Sequence, residues 1–198
     1  MVIRAVALDV GGVLALVEPM DFDRRWEVHL GLTAGTISTV MADVWDAGAI
    51  GRVTEAEVHR AMGERLGLDA GQVEAMMADM WKQYLGVPNV ELIDYVRGLR
   101  PAYRTGILSN SFVGAREREG FGDLVDELIY SHEAGMTKPD PALWELACRR
   151  LAVTPGEMVF VDDAPGLVES ATEFGIRGVL FTDTRRAVAD VEALLCHG

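Results

Sequence analysis

The sequence predicts an α/β protein: a parallel sheet of about five strands that carries an inserted bundle of helices. Residues 3–9 form an apolar run that ends in Asp9, which is typical of a buried strand. From about residue 20 to residue 86 the apolar side chains recur at helical spacing, and beyond Pro88 strand and helix patterns alternate. This order separates the first strand from the remaining strands by a helical insertion, which would lie over the carboxyl edge of the sheet.

The insertion reads as a set of amphipathic helices. Two stripes of apolar residues follow the i, i+3, i+4, i+7 spacing of one helix face. Between them, Thr54 with Glu57 matches a capping box and predicts a helix over residues 54–66. Core packing is the simplest role for the two stripes, which are Ile37, Val40, Met41, Val44 and Trp45, then Val73, Met76, Met77, Met80, Trp81 and Tyr84.

The rest of the chain is predicted to alternate between strands and helices. Strands are expected near 104–109, 128–131, 158–162 and 178–182. Helices are expected from Asn89 to about Arg100 and near 114–119, 140–151, 166–174 and 185–195. The segment from Thr154 to Glu157 also matches a capping box, but the strand-like run behind it indicates a turn. We therefore divide the chain into a core domain, residues 1–16 and 87–198, and a helical domain, residues 17–86.

Charge and composition limit the possible partners. A formal net charge of −13 opposes binding to nucleic acid or to an anionic membrane, because both require a basic surface. A small phosphorylated metabolite remains compatible, since a local cation can override the overall field. No apolar stretch reaches the roughly 18 residues of a membrane span, and the early first strand leaves no room for a signal peptide. The two cysteines fit no disulfide or metal spacing, so we expect a cytoplasmic protein.

Polar residues that could bind a phosphate or a metal ion lie at or near the ends of the predicted strands. The carboxyl ends of parallel strands lie at one edge of a sheet, so we expect these side chains to meet there. Lys138 is conspicuous because only one other of the 18 basic residues, Lys82, is a lysine. The candidates are Asp9, Gly11, Ser109, Asn110, Lys138, Asp162 and Asp163.

Several of these candidates match the needs of a metal-assisted transfer of phosphate to a carboxylate. Asp9 would attack phosphorus with one oxygen and bind Mg²⁺ with the other. Asp163, with Asp162 and the carbonyl oxygen of Gly11, would complete the ligands of the ion. The sequence therefore predicts a magnesium site at this edge.

The remaining candidates would hold the phosphate. Lys138 would neutralise the charge of Asp9 and of the phosphate together, which makes it a catalytic as well as a binding residue. Ser109 and Asn110, with nearby backbone amides, would hold an oxygen that is not transferred. The expected substrate is a small phosphorylated metabolite.

The ordered set of motifs resembles the haloacid dehalogenase superfamily, chiefly its phosphohydrolases with a small helical cap. Motif one corresponds to Asp9–Leu14, motif two to Ser109, motif three to Lys138, and motif four to Asp162 and Asp163. The resemblance implies a Rossmann-like sheet in the order 5-4-1-2-3 and a cap that closes over the site. It also implies an Mg²⁺-dependent phosphohydrolase with an aspartyl-phosphate on Asp9, acting as a monomer or a homodimer.

One position departs from that pattern. Phosphatases of the superfamily carry a second Asp two residues after the nucleophile, where this chain has Gly11. That Asp protonates the leaving oxygen and later activates water, and such help is worth about 10²- to 10⁴-fold in rate. Three outcomes follow: use of substrates with good leaving groups, no turnover, or replacement of the acid by Glu18, Asp21 or Asp23.

Two other functions therefore stay open. One is a catalytically impaired protein that binds a phosphate ligand or another protein. The other is a 2-haloacid dehalogenase, because dehalogenases of the superfamily also lack the second Asp. They need no Mg²⁺, however, and lack the acidic fourth motif. Without a cation, Asp162 and Asp163 would repel Asp9, so the acidic pair favours metal and phosphate.

Overall fold

The computed structural model describes residues 2–196 and contains a five-stranded sheet, a two-stranded ribbon and ten α-helices within that range. The strands are β1 (Ala5–Leu8), β2 (Ala15–Leu16), β3 (Val87–Pro88), β4 (Arg104–Ser109), β5 (Glu127–Tyr130), β6 (Met158–Asp162) and β7 (Arg177–Leu180). The helices are α1 (Phe22–Leu30), α2 (Thr36–Ala49), α3 (Glu55–Leu66), α4 (Ala70–Leu85), α5 (Val90–Leu99), α6 (Ala115–Glu119), α7 (Ser131–Ala134), α8 (Pro141–Leu151), α9 (Pro165–Phe174) and α10 (Thr184–Cys196). None of these helices is both long and apolar enough to cross a membrane.

The large sheet is parallel throughout, with the strand order β5-β4-β1-β6-β7. When its five strands alone are counted along the chain, this order reads 3-2-1-4-5, which is the implied order 5-4-1-2-3 read from the other edge of the sheet. The predicted α/β class is confirmed. The central strand β1 is the one that leads into Asp9, so Asp9 emerges at the middle of the sheet.

The register of the strands brings several candidate residues to one edge. Leu8 pairs with Ile107 of β4 on one side and with Val161 of β6 on the other. Asp9 follows Leu8 directly, Ser109 ends β4 and Asp162 ends β6. Their shared position is a consequence of parallel pairing between strands that are far apart in sequence.

Alternate residues of the central strand pack on opposite faces of the sheet. Val6 and Leu8 join one buried cluster, and Ala7 joins another with Phe160 and Trp144 of α8. Helices cover both faces, so the strands are apolar almost throughout and tolerate charge only where they end. This explains why the carboxylates of interest lie at strand termini.

Helices α1 to α4 share a third apolar cluster, to which both stripes predicted from the sequence contribute. Ile37, Met41 and Met76 are fully buried there. Phe112 and Val113, which follow β4, pack into the same cluster. The insertion is therefore seated on the segment that leaves the second strand of the sheet.

Two short features, the ribbon and helix α7, were not predicted from the sequence, whereas a predicted turn is present. The ribbon of β2 and β3 joins the two ends of the insertion through antiparallel pairing of Leu16 with Val87. Helix α7 lies directly after β5 where no helix was expected. The segment predicted as a turn, Pro155–Glu157, is a single 3₁₀ turn that keeps its capping box. Elements this short carry too few residues to display a period.

Candidate active site

Asp9 is fixed by the strand that precedes it and the tight turn that follows. Its backbone N–H donates to the carbonyl oxygen of Val161 at 2.9 Å, which extends the pairing of β1 with β6. The N–H of Ala15 donates to the carbonyl oxygen of Val10 at 2.8 Å and closes the turn. Inside that turn, Gly12 has a left-handed φ of 75°. The carboxylate of Asp9 thus projects from a rigid bend at the sheet edge.

Lys138 lies between two carboxylates. Its side chain is fully buried, with Nζ 2.6 Å from Oδ2 of Asp162 and 3.0 Å from Oδ1 of Asp9. The ammonium also sits 5.0 Å from the centre of the Phe160 ring. Oδ1 of Asp162 accepts a hydrogen bond from the N–H of Ala164 at 2.8 Å, so both its oxygens are engaged. Asp162 therefore orients Lys138 toward Asp9.

Asn110 holds the backbone of Lys138. The N–H of Lys138 donates to Oδ1 of Asn110 at 2.7 Å, and Nδ2 of Asn110 donates to the carbonyl oxygen of Lys138 at 3.0 Å. Sequence reasoning assigned Asn110 to phosphate and missed this contact, which no local pattern reveals because 28 residues separate the partners. Ser109 is buried at the end of β4, and its predicted contact with phosphate stays a prediction.

Burial dominates the electrostatics of the site. It raises the pKa of Asp9 above the usual value; the Lys138 charge opposes the shift and the Asp162 charge adds to it. Burial and the charge of Asp162 likewise raise the pKa of Asp163. Although Lys138 pairs with Asp9 as an ion, Oδ1 of Asp9 accepts no well-aligned hydrogen bond. A buried carboxylate oxygen is thus left with a free lone pair.

The donor set fits a hard divalent cation. Asp9, Asp162 and Asp163 each offer one oxygen, and the three oxygens lie within 4.8 Å of one another. Three carboxylates against the single Lys138 leave an excess of negative charge, which a divalent ion would balance. Oxygen-only ligands suit Mg²⁺ rather than softer metals. No other cluster of this kind occurs among residues 2–196.

A cleft of about 700 Å³ opens at the opposite edge of the sheet, beside Arg4, Arg100 and Arg104. Those arginines are paired with acidic neighbours, Arg100 and Arg104 with Asp126 and Arg4 with Glu157. The arginines of this cleft are therefore paired, whereas the three carboxylates at the carboxyl edge share one lysine.

Comparison with known proteins agrees with this geometry. Residues 3–175 match the family described as haloacid dehalogenase-like hydrolase. The chain belongs to that family. It is 25% identical over 186 residues to D-ribitol-5-phosphate phosphatase of Bacteroides thetaiotaomicron, covering 87% of this chain and 89% of that protein.

Two further proteins are similar to this chain, one in sequence and one in fold. Acyl-CoA dehydrogenase family member 10 of Mus musculus is 26% identical over 205 residues, 97% of this chain, but the chain spans only 19% of its length. The fold matches a crystal structure of a HAD family enzyme of Bacteroides thetaiotaomicron in complex with magnesium and inorganic phosphate. The TM-score is 0.71 at 19% identity, covering 90% of this chain and 93% of the other.

Gly11 and Gly12 differ in the space that each leaves for a side chain. A Cβ added at Gly11 would meet no atom within 4 Å, so space for a side chain exists at that position. At the neighbouring Gly12, an added Cβ would lie 2.1 Å from Oδ2 of Asp163. Gly12 is therefore required for the approach of Asp163, whereas packing does not require a glycine at position 11.

The acidic residues that could replace the missing acid differ in their surroundings. Glu18 is exposed. Asp21 lies within ion-pair distance of Arg24 at 4.0 Å and of Arg25 at 3.9 Å. Asp23 is half-buried and lines a cavity of about 240 Å³ between the helical insertion and the strand ends. We call this space the insertion cavity; its lining residues are Met20, Phe22, Asp23, Trp45, Met80, Tyr84, Asn110, Ser111 and Phe112.

Two more groups lie near the site, and no role was assigned to them from the sequence. The hydroxyl of Ser111 contacts Nδ1 of His132 at 2.7 Å. Glu119 accepts hydrogen bonds from the hydroxyls of Tyr84 at 3.0 Å and Tyr130 at 2.6 Å, which ties helix α4 to strand β5. Burial raises the pKa of Glu119, and the charge of Asp9 adds to this. No motif marks these residues because each contact crosses between distant segments.

Proposed function

We propose that this hydrolase is an Mg²⁺-dependent phosphatase of small phosphorylated metabolites that works through an aspartyl-phosphate on Asp9. The observation that carries the proposal is the meeting of Asp9, Lys138, Asp162 and Asp163 at one edge of the sheet. Dehalogenation needs no such excess of carboxylates, since its substrate has no phosphate for a metal to neutralise.

Each residue of the site has a separate role in the proposed reaction. The free oxygen of Asp9 attacks phosphorus, and the leaving oxygen departs on the opposite side. Lys138, held by Asp162 and Asn110, offsets the charge of Asp9 and of the phosphate in a site where few water molecules screen it. Ser109 and nearby backbone amides hold a non-transferred oxygen. Water then attacks phosphorus and releases Asp9.

Asp9, Asp163 and the carbonyl oxygen of Gly11 would hold the magnesium ion, with Asp162 beside them. When bound, Mg²⁺ supplies positive charge that lowers the repulsion between carboxylate and phosphate. The similar D-ribitol-5-phosphate phosphatase supports a phosphatase activity, and a protein of similar fold was crystallised with magnesium and inorganic phosphate.

The helical segment, residues 17–86, is proposed to act as a cap that shapes substrate choice. It packs on Phe112 and Val113, directly beyond the predicted phosphate site. The cytoplasmic location and the monomeric or homodimeric state stay predictions. The replacement at Gly11 is expected to make turnover slow with poor leaving groups, unless another acid supplies the proton.

A phosphatase assay tests the proposal. Release of inorganic phosphate from a panel of phosphomonoesters is measured with Mg²⁺ and with EDTA, for the natural chain and for Asp9→Asn. We expect turnover only with Mg²⁺ and a loss of at least about 10³-fold in Asp9→Asn, as for a lost nucleophile. Asp46→Asn removes an exposed carboxylate of the insertion and serves as the control.

Two results would contradict the proposal. Halide release from 2-haloacids without metal would favour the dehalogenase. Binding of phosphate ligands without any turnover, in the natural chain and in Gly11→Asp, would favour the impaired binding protein.

A further inference from the structure

The insertion cavity borders the proposed phosphate site. Asn110 and Ser111 form part of its wall, and both directly follow Ser109 at the end of β4. Asn110 also holds the backbone of Lys138, whose ammonium contacts Asp9. A phosphate beside Asp9 and Lys138 would therefore leave the organic part of its ester at the mouth of this cavity.

The walls of the insertion cavity are mainly apolar and aromatic. Phe22, Trp45 and Phe112 form one edge-to-face aromatic group, with ring centroids 6.2 and 5.6 Å apart in successive pairs. Met80 and Met20 add flexible apolar surface. No arginine or lysine lines the cavity among the described residues. Such walls favour an apolar or aromatic organic group over a polyol.

Asp23 is the one carboxylate in this wall. Its Oδ1 is buried and has no hydrogen-bond partner, and no described cation lies within ion-pair distance of it. Burial raises the pKa of Asp23, and the charge of Glu27 adds to this. A carboxyl group that is partly desolvated, has an unpartnered oxygen and lines the same cavity as Asn110 and Ser111 is suited to donate a proton.

We propose that Asp23 protonates the leaving oxygen of phosphomonoesters whose organic part is apolar, in place of the acid missing at Gly11. The inference rests on the proposed function and deepens it. The phosphorus–oxygen bond to the leaving group breaks as the bond from Asp9 to phosphorus forms, and the proton of Asp23 passes to the leaving oxygen. In the second step water attacks phosphorus and loses its proton to solvent, phosphate leaves Asp9, and Asp23 regains its proton from solvent.

The test is a leaving-group series with the natural chain and Asp23→Asn. 4-Nitrophenyl, phenyl and cyclohexyl phosphate carry apolar organic groups and need increasing help from a proton donor. We expect Asp23→Asn to lose less than about tenfold with the nitrophenyl ester and about 10²- to 10³-fold with the other two. We expect this loss of activity as a lower kcat, with KM unchanged. Adding Gly11→Asp to Asp23→Asn should restore activity toward the poor leaving groups.

The controls separate this role from a structural one. Asp46→Asn should leave the series unchanged, and the melting temperature of Asp23→Asn should match that of the natural chain. Asp23→Ser provides a second variant with the carboxyl removed. A uniform loss across the three esters, or a change in KM alone, would overturn the role of Asp23.

The outcome also distinguishes this inference from the proposed function. If turnover depends on Mg²⁺ and Asp9 but Asp23→Asn loses no activity with any of the three esters, the proposed phosphatase function stands. Only the role of Asp23 as proton donor is then overturned. An absence of turnover with all three esters would overturn the inference about the apolar substrate.

Discussion

Lys138 is the residue on which the charges of the site depend. Its buried ammonium is shared between Asp9 and Asp162, and Asn110 fixes the backbone that presents it. Burying two carboxylates is tolerable only while a cation stays between them. The same ammonium that stabilises the fold is therefore placed to receive a phosphate.

Replacement of Lys138 by methionine tests this coupling. It should lower the free energy of unfolding by about 3–5 kcal/mol in EDTA, because two buried carboxylates lose their partner. Lys82→Met is the matched control, since Lys82 is the other lysine and is exposed. Urea unfolding of both variants measures the difference; equal stability of the two would contradict the account.

The adjacent glycines 11 and 12 make a second residue-scale prediction. Gly11→Ala should keep or slightly raise stability, by up to about 1 kcal/mol, because its Cβ meets nothing. Gly12→Ala should destabilise the protein and weaken Mg²⁺ binding, since its left-handed backbone is strained and its Cβ displaces Asp163. Thermal melting and calorimetric titration with Mg²⁺ compare the two; the reverse ranking would contradict the geometry.

Most of the residues that meet at the site share a simple property. Asp9, Asp162 and Asp163 lie at or directly after strand ends, and parallel pairing dictates where strand ends lie. Lys138 reaches the same edge from the loop beyond β5 and α7. The bond of Asn110 to Lys138 could not be predicted in this way. It depends on how two loops cross, which sequence spacing does not encode.

At the scale of elements, the insertion is joined to the core at separate places. The β2–β3 ribbon links its two ends, and the carboxylate of Glu119 links Tyr84 of α4 to Tyr130 of β5. Longer elements were predictable because helix and strand periods repeat within them. The two-residue ribbon was not, since two residues contain no period.

Glu119 should make the attachment of the insertion sensitive to pH. Burial raises its pKa in the folded state, although the hydroxyls of Tyr130 and Tyr84 oppose the shift. Its contribution to stability is thus complete below the unfolded pKa of about 4.3 and is lost as pH rises through the higher folded pKa.

Glu119→Gln tests this dependence. Relative to the natural chain, the variant should gain in free energy of unfolding as pH rises from about 4 to about 8, because glutamine never ionises. Glu117→Gln, an exposed neighbour in the same helix, is the control. Urea unfolding across this pH range measures the effect; parallel curves for the two variants would show that Glu119 ionises freely.

At the scale of the whole molecule, a net charge of −13 opposes compaction, and part of it is concentrated at the active edge. A divalent cation there should stabilise the fold. At a Mg²⁺ concentration 100 times the dissociation constant, the gain is about 2.7 kcal/mol.

Thermal melting with Mg²⁺ and with EDTA measures that gain. The natural chain should melt higher with Mg²⁺, whereas Asp163→Asn should respond much less because one ligand oxygen is lost. An equal rise in both proteins would assign the effect to general screening of the negative surface rather than to the site.

The most direct test of the account is the chemical state of Asp9 during turnover. The protein is mixed with an aryl phosphate and Mg²⁺, quenched with borohydride, and digested for peptide mass spectrometry. Borohydride reduces an acyl phosphate to an alcohol, so the account predicts homoserine at position 9, and none when substrate or Mg²⁺ is omitted. Continued release of phosphate with an unmodified Asp9 would contradict it.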